Sequence, residues 1–136
     1  MGLDIYFYKR SKLDSRYKEE IGYFRKVNCI LTYFGIGEND NCSFVVIPKE
    51  KFEQFRDDLK KELGSHKGIH LPTEWNDHTC IEPNNSNFKT KSVFFGGSLE
   101  YDGSYWNDIR SLYRFSINVI KEIDWDKDNL EIYCWW

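Results

Sequence analysis

The chain has 136 residues, the size of one domain and too short for two with separate cores. Aromatic residues make up 18% of it and charged residues 30%, with a net charge of -3. That composition excludes a disordered chain and a general binder of polyanions, and we expect a single domain over residues 1–136.

No apolar run approaches the ~18 residues that a membrane span needs. The opening Met1-Gly2-Leu3-Asp4 has no basic region ahead of an apolar stretch, so no signal peptide is expected. Tyr6 stands where N-myristoylation would want Ser or Thr. Cys29, Cys42, Cys80 and Cys134 are widely spaced and read as reduced thiols in a cytoplasmic protein.

Leu3, Ile5 and Phe7 alternate with Asp4, Tyr6 and Tyr8, which predicts a strand with one face on a core. Ser11–Glu20 reads as a loop. From Gly22 to Phe34 the spacing of Tyr23, Val27, Ile30 and Phe34 predicts a helix ended by Gly35. A short buried strand follows at Ser43–Ile47. Pro48 then opens a helix whose stripe is Phe52, Phe55, Leu59 and Leu63, closed by Gly64. The stretch 65–91 reads as irregular, with a short strand near Thr79–Ile81, and Lys91–Phe95 as another strand. Ser104 is the expected N-cap of a long helix bearing Tyr105, Ile109, Leu112, Val119 and Ile123. Leu130, Ile132, Cys134 and Trp136 alternate along a terminal strand. These elements predict an α+β fold: a mainly antiparallel sheet of about four strands with three helices packed on one face.

His66, His70, His78 and Cys80 offer four zinc-type donors in one stretch. Gly68 and Pro72 argue against a helix presenting them together, so solvated loop histidines are expected and no cofactor. Glu38-Asn39-Asp40-Asn41 lacks the spacing of a calcium loop, and no phosphate-loop or nucleophile-elbow pattern occurs. Residues 9–26 carry seven basic and three acidic side chains, interleaved with Tyr8, Tyr17, Tyr23 and Phe24. That arrangement suits weak binding of single-stranded nucleic acid; the plainer reading makes the rings core and the charges their solvated neighbours. Residues 97–136 carry four basic and eight acidic side chains.

Three segments carry a resemblance: Met1-Gly2-Leu3-Asp4-Ile5-Tyr6, Ile21-Gly22-Tyr23-Phe24-Arg25-Lys26-Val27-Asn28 and Phe94-Phe95-Gly96-Gly97-Ser98-Leu99-Glu100-Tyr101-Asp102. In that order they resemble a group of small uncharacterised proteins of bacteriophages and prophage-bearing bacteria, and Asn41-Cys42 fits the loop after their first helix. The chain departs from them in Phe24 for a usual Trp, Gly97 inserted before Ser98, and an extended 73–91 region. The resemblance implies a phage-like accessory role and no catalytic residue.

The expectation is therefore a non-catalytic accessory protein that binds a macromolecule, a protein rather than nucleic acid, with a homo-oligomer as one form of it. The rival is a small hydrolase or nuclease using carboxylates such as Asp4, Glu100 and Asp102, with or without a metal. The candidate binding residues are Arg25, Lys26, Glu100, Tyr101, Asp102 and Trp106. Arg25 and Lys26 are expected to project from the exposed side of a helix. Opposite them, Tyr101 and Trp106 would wall a cleft with Arg25 and Asp102 as its polar ends; the plainer role is an ion pair between the two segments.

Overall fold

The computed structural model describes residues 2–89 and 100–136. Its elements are β1 (Asp4–Ser11), β2 (Lys18–Arg25), α1 (Asn28–Phe34), β3 (Phe44–Ile47), α2 (Lys49–Gly64), α3 (Gly103–Glu122) and β4 (Asp128–Trp135). The four strands form one antiparallel sheet in the order β2-β1-β4-β3, with the first and last strands side by side at its centre. This is the expected α+β arrangement.

Alternation decides which side of the sheet is dry. Ile5 and Phe7 of β1 lie opposite Cys134 and Ile132 of β4, and all four are buried. The helices cover this face. Phe7 meets Phe52 of α2 at 6.3 Å and Phe115 of α3 at 4.9 Å between ring centres. A β-carbon at Gly22 would sit 2.4 Å from Phe115, so only glycine lets that ring lie on β2. Burying a side chain of Phe7's size stabilises by roughly 1.5–3 kcal/mol. Cys29 and Cys134 are small core residues, and burial pushes both thiols up to about 12.

The main departure from the sequence reading lies at 18–34. The expected helix from Gly22 is two elements: β2 and the shorter α1. Tyr23 and Val27 fall at helical spacing by coincidence, since Gly22 and Phe24 face the core of a strand while Tyr23 and Arg25 face outward. Pairing with β1 over seven registered positions outweighs a local pattern already weakened by β-branched residues. Lys26, at φ 59, makes the break between strand and helix. Correspondingly, only 12–17 of the expected 11–20 loop lies outside the strands, forming the tip of the β1–β2 hairpin.

Three smaller expectations also change. Asp102, not Ser104, is the N-cap of α3, its carboxylate accepting from the Tyr105 N–H. Thr79–Ile81 is not a strand; Ile81 donates to the Tyr101 carbonyl and accepts from the Trp106 indole. The strand expected at Lys91–Phe95 lies outside the described residues. Gly35 does end α1, at φ 66 in the left-handed region where glycine is favoured.

Candidate functional site

The other face of the sheet is the unusual one. Strand register arranges its side chains in cross-strand rows. The first row holds Arg25, Asp4 and Trp135. The second runs across all four strands: Tyr23, Tyr6, Tyr133 and Phe44. The third holds Glu20, Tyr8, Glu131 and Val46, and the fourth Lys18, Arg10 and Asn129. Among the described residues, no helix lies against this face.

The rings touch one another in a continuous cluster. Tyr6 lies 5.0 Å from Tyr23, 6.2 Å from Tyr8 and 6.4 Å from Tyr133, while Phe44 closes the group at 4.8 Å from Tyr133 and 5.6 Å from Tyr8. Tyr23, Phe44, Val46 and Trp135 are exposed, the last at 56%. A strand's solvent face ordinarily carries polar side chains, so a contiguous aromatic band there is the candidate site.

Several charges on this face are paired or laid over rings. Glu131 is buried, and Arg10 donates to it at 2.8 Å. The Arg10 guanidinium also sits 4.7 Å over Phe44, and the Lys18 ammonium 4.7 Å over Tyr8 and 4.8 Å over Phe44. The Tyr23 hydroxyl donates to Asp4, and that hydrogen bond holds the phenol above its usual range and uncharged. Three basic groups (Arg10, Lys18, Arg25) face three acidic ones (Asp4, Glu20, Glu131), so the face is neutral as a whole.

The basic stretch 9–26 is thus a β-hairpin rather than a free cationic arm. Lys9 pairs with Glu19, Arg10 with Glu131 and Arg16 with Asp14, while Lys12 donates to the Trp125 carbonyl. Of its aromatics, Tyr8 and Tyr23 are on the open face, Tyr17 is exposed beside the hairpin tip and Phe24 packs against the core.

The candidate residues named from sequence do not form one cleft. Arg25 ends β2 and Lys26 follows it in the turn, both exposed but neither on a helix. Trp106 is fully buried, edge-on to His66 and Tyr105, with its indole N–H donating to Ile81, so it cannot wall an open cleft. Asp102 caps α3; among the described residues no ion pair joins it to Arg25. Tyr101 stands 5.0 Å from Tyr105, and Glu100 is exposed.

The carboxylates of the enzymatic rival are likewise apart: Asp4 is on the open face and Asp102 in the helix layer. Asp108, further along α3, has its carboxyl pushed up to about 6, chiefly by burial and then by the Asp102 charge. No group of three or more His, Cys, Asp or Glu side chains suited to a metal occurs among the described residues. His66 is held by Glu62 at 2.6 Å, whereas His70, His78 and Cys80 are exposed.

A cleft of about 260 Å³ lies between α2 and the segment at 84–85, with Asp58, Lys61, Glu62 and Ser65 in its walls. Its buried carboxylate is fully engaged: Glu62 accepts from the N–H groups of Asn84 (3.0 Å) and Asn85 (2.7 Å) as well as from His66. That arrangement pins a long loop.

Sequence reasoning did not single out Tyr6, Phe44, Tyr133 and Trp135, the rings of the open face. The signal was present, because aromatics stood at the solvent positions of both alternating strands. No helix of the described residues is long and apolar enough to cross a membrane. Compared with known proteins, the chain matches no family model, no curated protein and no solved structure.

Proposed function

We propose that the chain is a non-catalytic accessory protein, of the phage-like kind its sequence resembles, that works by binding another protein through the open face of its sheet. The observation that supports this reading is the four-strand row Tyr23-Tyr6-Tyr133-Phe44, flanked by Trp135, Arg10 and Arg25. Tyr, Trp and Arg are the residues on which protein interfaces concentrate their binding energy. Rigid rings also lose little conformational freedom when covered.

A protein suits the face better than nucleic acid does. Base stacking needs open ring faces and free cations for the phosphates. Here cations already lie over Tyr8 and Phe44, neighbouring rings meet at tilted angles, and the face carries no net charge.

The test uses the immobilised full chain and an extract of its source cells. Tyr23→Ser combined with Trp135→Ser removes two exposed rings and should cost about 1 kcal/mol of stability or less. The double variant is expected to melt within a few degrees of the parent and to lose the proteins that the parent retains. Lys60→Ser with Lys121→Ser, on the helix layer, is expected to retain them. Equal retention by the face variant and the parent would contradict the reading.

A further inference from the structure

We infer that one partner of the open face is a second copy of the chain, the two sheets stacking as a symmetric dimer; this rests on the reading of that face as a protein-binding surface. Sheets that pack face to face keep their strands nearly aligned, about 10 Å apart. A twofold dimer also requires a patch that complements itself. The register of this sheet can be checked against that requirement directly.

Place a twofold axis between the two faces, parallel to β1. Because the strand order is β2-β1-β4-β3, β2 of one copy then lies over β3 of the other, and β1 over β4. Each cross-strand row falls over its own counterpart. Tyr23 meets Phe44 and Tyr6 meets Tyr133, so the aromatic band covers itself. Asp4 faces Trp135, Tyr8 faces Glu131, Glu20 faces Val46 and Arg10 faces Asn129. No charge lies directly opposite its like.

The alternative axis, perpendicular to the strands, lays each strand over itself. It sets Arg25 of one copy against Lys18 of the other but also Asp4 against Arg10, so these charge pairs cancel, and it lays Tyr23 over Glu20, Tyr133 over Glu131 and Phe44 over Val46, so the aromatic row no longer covers itself. The observed register therefore favours one geometry. Neutrality adds to the case: three basic and three acidic groups give two copies of this face no net repulsion, although each chain carries -3 overall. A strongly charged partner would find no matching field here.

Sedimentation velocity of the purified full chain, from about 1 to 500 µM, decides the matter. The parent is expected to shift with concentration towards twice the 16.4 kDa chain mass. Tyr6→Asp places a charge at the centre of the stacked band and is expected to weaken self-association by roughly thirtyfold or more, the scale of an interface hot spot. Val46→Glu, at an exposed edge-strand position where misfolding is not a concern, is expected to weaken it as well by facing Glu20 of the other copy. Far-UV circular dichroism establishes that each variant is folded. A parent that stays monomeric throughout overturns the dimer, and so does a dimer indifferent to both changes. In the first case, a heterologous protein still lost from the Tyr23→Ser and Trp135→Ser variant would leave the binding face standing without the second copy.

Discussion

Glu62→Ala is expected to lower stability by about 3 kcal/mol and the melting temperature by roughly 10 °C. The Glu62 side chain is inaccessible to solvent, and its carboxylate serves three close donors, with the Ser65 hydroxyl at 3.4 Å as a longer fourth. Oε1 accepts from the Asn85 N–H, while Oε2 accepts from the Asn84 N–H and from His66. Alanine would leave all three without that acceptor, and an orphaned donor costs about 1–3 kcal/mol when water cannot reach it. Glu62→Gln keeps a carbonyl for one amide but turns an NH₂ towards the others, so an intermediate loss is expected. Thermal unfolding gives the total, and hydrogen exchange at the Asn84 and Asn85 amides reports the loop itself. Unchanged exchange in Glu62→Ala would show that the clamp does not hold the 84–85 segment.

The second large effect is expected at Gly103, the first residue of α3. Helix propensity alone would make Gly103→Ala stabilising by up to about 1 kcal/mol. Packing sets the opposite sign. A β-carbon there would lie 1.9 Å from the Glu74 carbonyl oxygen and 3.0 Å from that of Asp77, and the Gly103 N–H donates to the latter at 2.8 Å. Both obstacles are backbone, so the turn at 74–77 must move and its hydrogen bond must stretch. A loss of about 3 kcal/mol is expected, the upper part of the range for overpacking. Gly64, with nothing within 4 Å of its β-carbon position, is the matched control and should tolerate alanine. Calorimetry of the two variants separates the cases: a stable Gly103→Ala would mean that the loop does not press on α3.

Both positions belong to the part of the molecule that the sequence described least well. The stretch 65–89 has no regular strand, and its order comes from single anchors distant in sequence. Arg110 donates to the Pro72 carbonyl, Tyr105 to Phe88, Trp106 to Ile81, and Glu62 holds Asn84 and Asn85. None of these pairings leaves a periodic trace. The reverse holds for α2, α3, β1 and β4, where a sustained apolar period of one kind identified the element before any contact was known. Of the helix expected from Gly22 to Phe34, the part at 28–34 is α1, while 22–25 belongs to β2, and only the presence of β1 alongside decides that.

The candidate site was legible in one respect and hidden in another. Tyr6, Tyr8, Tyr133 and Trp135 could be seen from their strands to face away from the core. That they form one band could not, because β1 and β4 lie at opposite ends of the chain and pair only in the fold. Attention to Arg25, Lys26 and Asp102 followed short motifs, and motifs do not say which layer a residue occupies. Trp106 illustrates the consequence: a ring expected beside a cleft is instead wholly enclosed under the 66–81 segment.

The division of labour between the two faces of the sheet is the central claim, and site-specific photocrosslinking tests it most directly. A photoreactive phenylalanine analogue at Trp135 samples the aromatic face; the same analogue at Arg114 samples the exposed side of α3. After irradiation in the source cells, position 135 is expected to give protein adducts that resist nuclease, and position 114 none. Adducts at 114 without adducts at 135, or adducts at 135 that nuclease removes, would contradict it.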